Sequence, residues 1–201
     1  MDKPMSCVGV VIAGGKSRRF GSPKVFAEWN NKTFFEHSMN SIAPLSDNLV
    51  AVVGEEWIQP LQPYNNNYNA EIITDIDSFK GNGPLAGIYS AMMQIKADYY
   101  LVSPCDMPRM SSSMYEKWLK IAMDHPEYDC VVPLWEGKVY PLNGVYKRTC
   151  LPDIETCLRN QTYKVLALLK RKNTHYIEIS EDEECFFHNV NTKEELLKLS
   201  D

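Results

Sequence analysis

Short β-branched and aromatic runs alternate along this chain with longer stretches of mixed apolar and polar residues. The runs Cys7–Ile12, Asn48–Val53, Glu71–Thr74, Tyr99–Ser103, Cys130–Leu134 and Val139–Tyr146 have the length and composition of strands. Between them, Thr33–Ala43, Trp57–Tyr64, Leu85–Ile95, Ser111–His125 and Lys147–Leu158 have the length of helices. This alternation predicts βαβ units, hence a mainly parallel sheet with helices on both faces. Ser111–Ser113 offers hydroxyls to cap a helix, with Glu116 expected in its first turn. Near the end, N-V-N-T-K-E-E-L-L-K-L predicts a last helix with Thr192 as N-cap and Glu195 completing a capping box. The 201 residues show no internal repeat and suit one domain, 1–201.

In an open parallel sheet, ligands bind beyond the carboxyl ends of the strands, where the strand order switches. Motifs that directly follow strands therefore carry the most weight. The first is V-V-I-A-G-G-K-S-R-R-F-G-S-P-K, from Val10 to Lys24. Its Gly15-Lys16-Ser17 invites a P-loop reading, but the first glycine of that motif would fall on Val10. The dinucleotide-binding glycine spacing fails as well. What remains is a glycine pair after a strand, with Arg19 and Lys24 close behind. Glycines let backbone N–H groups approach phosphate oxygens, Arg19 can fork onto a phosphate, and Lys24 supplies a mobile charge. The competing reading is a plain glycine turn with solvated basic side chains; the convergence of Arg and Lys argues against it. Spacing leaves the parts played by Lys16 and Arg18 open.

The second motif, T-D-I-D-S-F-K-G-N-G-P-L-A-G-I, puts Asp75 and Asp77 after a strand and Pro84 at a helix start. A carboxylate there can accept from ribose or a base edge, or merely cap a turn, and spacing does not say whether Asp77 shares the role of Asp75. The third, Y-Y-L-V-S-P-C-D-M-P-R-M, sets Asp106 between Pro104 and Pro108, which restrict the backbone and fix the carboxylate's direction. One carboxylate with substrate phosphates is the usual way to hold Mg²⁺. A fourth follows a short late strand: Asn189 and Asn191 alternate about Val190 and so point to one side of an extended stretch. His188 reads as a packed histidine, and Cys105 as strand-end packing.

Together these motifs resemble the molybdenum cofactor guanylyltransferase (MobA-type) family. The family loop L-A-G-G-x-S-x-R-M-G-x-x-K fits Ile12 to Lys24, with Ile12 for Leu and Phe20 for Met. The similarity continues through Gly83-Pro84-Leu85-Ala86-Gly87, Cys105-Asp106-Met107-Pro108, Pro141 to Tyr146 and Asn189-Val190-Asn191-Thr192, in the family's order. Lys193 stands where the family often has Pro.

The resemblance implies a Rossmann-like, three-layer α/β nucleotidyltransferase fold. It implies transfer of GMP from GTP to molybdenum-loaded molybdopterin, with release of pyrophosphate. By position, Ile12, Ala13, Gly14 and Gly15 would contact the nucleotide, Arg19 and Lys24 would hold its phosphates, and Asp75 would also contact GTP. Asp106 would bind Mg²⁺, while Asn189 and Asn191 would face the pterin. The N-terminal half would then be mainly GTP-binding and the C-terminal half mainly molybdopterin-binding. Transient contact with other molybdenum cofactor biosynthesis or acceptor proteins is implied too. The related cytidylyltransferases open with A-A-G and end with D-x-D-T-P-E-D, so Gly15 and the late asparagines favour guanine over cytosine. Sugar-phosphate and isoprenoid-precursor nucleotidyltransferases share the fold, and a non-catalytic nucleotide-binding module is the alternative from another class; Lys24 and Asp106, both present, speak against the module.

Composition narrows the surroundings. A net charge of −5 gives no overall basic footprint for nucleic acid or anionic membrane, so any bound anion depends on local groups. No apolar run approaches membrane-spanning length, and Met1-Asp2-Lys3-Pro4 leads into a strand without a signal-peptide core. Six scattered cysteines without a C-x-x-C pair suit buried thiols in a reducing compartment, so the expected location is the cytoplasm.

Overall fold

The computed structural model describes residues 5–15 and 19–199. Lys16, Ser17 and Arg18 lie outside the described residues. Strands β1 (Cys7–Ala13), β4 (Asn48–Val53) and β5 (Glu71–Ile73) follow in order, with a two-residue hairpin of β2 (Glu28–Trp29) and β3 (Lys32–Thr33) after β1. Helix α1 (Phe34–Ile42) precedes β4, α2 (Ile58–Asn65) follows it, and α3 (Pro84–Gln94) joins β5 to β6 (Tyr99–Pro104). Then come α4 (Ser112–Asp124), β7 (Cys130–Trp135), β8 (Lys138–Val139), β9 (Gly144–Lys147), α5 (Leu151–Arg159), α6 (Val165–Leu169), β10 (Thr174–Glu178) and α7 (Lys193–Lys198).

The main sheet runs β10-β7-β9-β6-β1-β4-β5, with β8 pairing on β7. Along that path β9 alone is antiparallel to its neighbours; the other pairings are parallel. Strict alternation explains the two cores. Val11 and Ala13 of β1 face one layer with Phe35, Met39, Tyr115 and Trp118, while Val8 and Val10 face the other with Leu85, Ile88, Ile154 and Leu168. So α1, α2 and α4 cover one face and α3, α5 and α6 the other. This is the three-layer α/β arrangement that the alternation of runs predicts.

Several details differ from the sequence reading. The run Val139–Tyr146 breaks into β8 and β9, because Tyr140 to Asn143 turn there, with the Asn143 amide donating to the Tyr140 carbonyl. Ser111 is the N-cap of α4 by position but makes no cap bond; its hydroxyl meets that of Ser113, and no acid lies in the first turn. Asn189 does not directly follow a strand: β10 ends at Glu178, and Glu181–Phe187 forms a 3₁₀ segment opened by its own Ser180–Glu183 capping box. The capping box of α7, Thr192 with Glu195, forms as expected. No helix among the described residues is long and apolar enough to cross a membrane.

Candidate functional site

Because the chain leaves β1 toward β4 and β5 and returns to β6 on the other side, the strand order switches at β1. A crevice opens at the carboxyl ends there. A cavity of about 530 Å³ fills it, reaching from the end of β6 across β1 and β4 to the end of β5. Ile12, Ala13, Gly14, Gly15, Lys24, Asp75 and Asp106 all line it, so four separate stretches of sequence meet in one place. Arg19 is exposed in the turn before Gly21 and is not among the lining residues. Its neighbour Phe20 is buried with Phe34 and Val190, which ties the loop to α1 and to the C-terminal segment.

At the β6 end the polar groups are tightly interlocked. Lys24 Nζ donates to Asp106 Oδ2 at 3.1 Å and to Asn191 Oδ1 at 3.0 Å. Asn189 Nδ2 reaches the same Asp106 oxygen at 3.5 Å, and the Val190 amide donates to the Asp106 carbonyl at 2.8 Å. Asn189 and Asn191 therefore do share a side, while Val190 between them is buried against Phe20 and Phe34. The sequence brings these groups together from more than eighty residues apart through one backbone bond and the amides around it. The neighbouring Cys105 thiol is pushed up to about 12 by burial and then by the Asp106 charge, which Lys24 only partly offsets. It is no nucleophile at neutral pH.

At the β5 end, Asp75 accepts from the Gly81 amide at 3.0 Å. Burial raises its carboxyl above the ordinary value of 3.8, against the lowering effect of that bond and of Lys80. Gly81 and Gly83 both take left-handed backbone (φ +77°), a turn that sets Pro84 at the first position of α3 and brings the helix N-terminus to the cavity wall. A Cβ on Gly87 would come within 3.0 Å of Ile12 Cδ1, so glycine there lets α3 lie close over β1. Asp77 sits in an exposed 3₁₀ turn outside the lining.

Sequence reasoning missed Glu55, Glu56, Trp57 and Lys80, which also line the cavity. The first three follow β4 directly, the same signal that singled out the other motifs. Lys80 bridges to Glu55 at 2.8 Å across the cavity rim. His188, expected to be packed, is exposed and lies 3.9 Å from Glu184. Cys130 and Cys150, far apart in sequence, are buried with sulfurs 3.5 Å apart, both as thiols.

A mostly parallel sheet with a glycine-lined, Lys/Asp-anchored crevice at its switch point defines an α/β enzyme of the nucleotide-binding kind. The chain belongs to the MobA-like NTP transferase family, whose model matches residues 9–175. It is 36% identical over 195 residues to a probable molybdenum cofactor guanylyltransferase of Bacillus cereus, covering 94% of each chain. A protein of the same description from a Geobacillus strain is 35% identical over 189 residues, covering 93% of this chain and 94% of the relative. Among solved structures, the molybdopterin-guanine dinucleotide biosynthesis protein A of Archaeoglobus fulgidus superposes with a TM-score of 0.73 at 23% identity, covering 95% of each chain. A CMP-2-keto-3-deoxy-manno-octonic acid synthetase solved with CTP has a TM-score of 0.72 at 15% identity over 96% of each, a likeness of fold alone.

Proposed function

We propose that this chain transfers GMP from GTP to molybdenum-loaded molybdopterin, forming the guanine dinucleotide form of the cofactor and pyrophosphate. The relatives' names support this reading, and one observation in the chain carries it. The group best placed to meet nucleotide phosphates, Lys24, is hydrogen-bonded to Asn191, one of the asparagines expected to face the pterin. This bond supports a transfer point where the two expected half-sites meet.

The terminal phosphate oxygen of the pterin attacks the α-phosphorus of GTP; one P–O bond forms there and the bond to the leaving pyrophosphate breaks. The attacking phosphate is already anionic, so the reaction needs little general-base help, and positioning and charge stabilisation matter most. Gly14 and Gly15 have no side chain to hold phosphate oxygens away from the backbone. Lys24 places a positive charge beside the reacting phosphates.

Asp106 is the residue that would hold Mg²⁺. Its carboxylate lines the cavity, and among the described residues no cluster of three or more His, Cys, Asp or Glu side chains could form an all-protein cage. One carboxylate completed by substrate phosphates and water is the habit of Mg²⁺, so the donor set fits. When bound, Mg²⁺ neutralises charge on the phosphates. Lys24 is paired with Asp106 and would turn toward the phosphates of a bound nucleotide.

The test is turnover of GTP and of CTP with molybdenum-loaded molybdopterin and Mg²⁺, read as pyrophosphate release and dinucleotide formation. Guanine dinucleotide with GTP is the expected product. Faster turnover of CTP would make the chain a cytidylyltransferase. GTP binding without pyrophosphate release would make it a binding module.

A further inference from the structure

The cavity is graded in charge. Lys24 and Asp106 offset each other at its β6 end, whereas Asp75, Glu55 and Glu56, with Lys80 as their one lining cation, leave the end beneath β4 and β5 acidic. A triphosphate avoids three carboxylates, so a nucleotide enters with its base toward the acidic end. The β6 and β4 ends are two strand spacings apart, about 10 Å, a span suited to a nucleoside joined to its α-phosphate.

Guanine presents two adjacent N–H donors on its Watson–Crick edge, N1–H and the 2-amino group. A carboxylate with both oxygens open accepts such a pair side by side, as it does from arginine. Cytosine presents acceptors at the corresponding edge, which a carboxylate repels. Four carboxylates line the cavity, and three are engaged. Asp106 accepts from Lys24, Glu55 from Lys80, and one oxygen of Asp75 from the Gly81 amide. Glu56 makes no hydrogen bond among the described residues. Glu56 is exposed, and its carboxylate folds back over Gly54 at the tip of β4: a Cβ on Gly54 would lie 2.7 Å from Glu56 Oε2 and 3.0 Å from Oε1. Both oxygens thus overlie a glycine that itself lines the cavity.

Resting on the guanylyl-transfer reading above, we propose that Glu56 is the specificity-determining residue for the base, accepting from guanine N1–H and from its 2-amino group. Glu56 stands at the rim and takes no part in the transfer itself.

The test pairs the residue with the ligand atoms it would bind. Values of kcat/KM are measured for GTP, for ITP (which lacks the 2-amino group), for dGTP and for CTP, in the wild type, Glu56→Ala, Glu56→Gln and Asp75→Asn, with thermal unfolding as the check on folding. The wild type should favour GTP over ITP by about tenfold or more, the worth of a hydrogen bond to a charged group. Glu56→Ala should bring that ratio close to one and leave the GTP-to-dGTP ratio as it was. Glu56→Gln, which keeps the shape and one acceptor, should fall between. An unchanged GTP-to-ITP ratio in Glu56→Ala overturns the assignment. So does a collapse of the GTP-to-dGTP ratio instead, which would put the ribose at Glu56, or a collapse of the GTP-to-ITP ratio in Asp75→Asn alone. A wild type that prefers CTP to GTP sinks the guanylyl-transfer reading itself, and that result does not involve Glu56.

Discussion

Asp75 is held at a disadvantage that nucleotide binding would exploit. Its carboxyl, half-buried, is raised above 3.8 chiefly by burial. A raised value in the folded state means the fold binds the proton more readily than the unfolded chain does. The charged form therefore opposes folding at neutral pH, and the penalty fades as pH falls through the raised value toward 3.8. Asp75→Asn should raise the free energy of unfolding at pH 7 by no more than about 1 kcal/mol, since water screens the exposed half of the group. The gain should shrink as pH falls through the raised value and vanish only well below 3.8. GTP affinity should fall in the same variant, and a neutral effect on binding would remove Asp75 from the nucleotide site. Gly144 is constrained for a different reason: a Cβ there would lie 2.6 Å from the Val131 carbonyl oxygen and 2.8 Å from Val132 Cγ1, inside the β7–β9 pairing. A backbone carbonyl cannot swing aside as a side chain can. Gly144→Ala should cost about 3 kcal/mol in urea unfolding, and a loss under 1 kcal/mol would show that the strands can separate.

At the scale of elements, α7 is too short to stand alone and depends on its cap. Thr192 Oγ1 accepts from the Glu195 amide at 3.1 Å, and Glu195 accepts in return from the Thr192 amide at 3.1 Å. The stretch just before it holds Asn189 and Asn191 against Asp106 and Lys24. Thr192→Ala should cost about 1 kcal/mol, speed hydrogen exchange at the Val190 amide, and raise KM for molybdopterin while leaving KM for GTP unchanged. Thr192→Ser should restore all three; an equal rise in both KM values would mean that α7 supports the whole site. The capping box was readable from T-K-E-E because its chemistry is local. The β1, β4 and β6 ends were readable because buried parallel strands run apolar and then stop at glycine, proline or aspartate. The edge strand β10 was not, since T-H-Y-I-E alternates exposed and buried positions with polar residues and no helix-length segment leads into it. Nor was Glu181–Phe187, whose acidic run takes a 3₁₀ form fixed by Ser180 and Glu183 rather than by periodicity. Lys24 was visible as a charge near glycines. Its bond to Asn191 is a tertiary fact, set by how the last residues cross β6, and no spacing in the chain encodes it.

At the scale of the molecule, a ligand that bridges β6, β1, β4 and β5 should stabilise the whole sheet by mass action. GTP with Mg²⁺ at about 100 times its dissociation constant should add about 2.7 kcal/mol, or roughly 5–10 °C in Tm for a chain of this size. The shift should shrink when EDTA removes the metal, because Asp106 and the phosphates then repel each other across the β6 end. Lys24→Ala should lose most of it for the same reason, although the free protein also loses the Lys24–Asp106 and Lys24–Asn191 bonds; the comparison is therefore made on the ligand-induced shift, not on the starting Tm. CTP at the same concentration should give a smaller shift, since the acidic end beneath β4 and β5 opposes cytosine's acceptors. Equal shifts for GTP and CTP would mean that the cavity holds phosphate and ribose but leaves the base unread. In that case the second glycine of Ala13-Gly14-Gly15 and the carboxylate of Glu56 would have no part in choosing guanine.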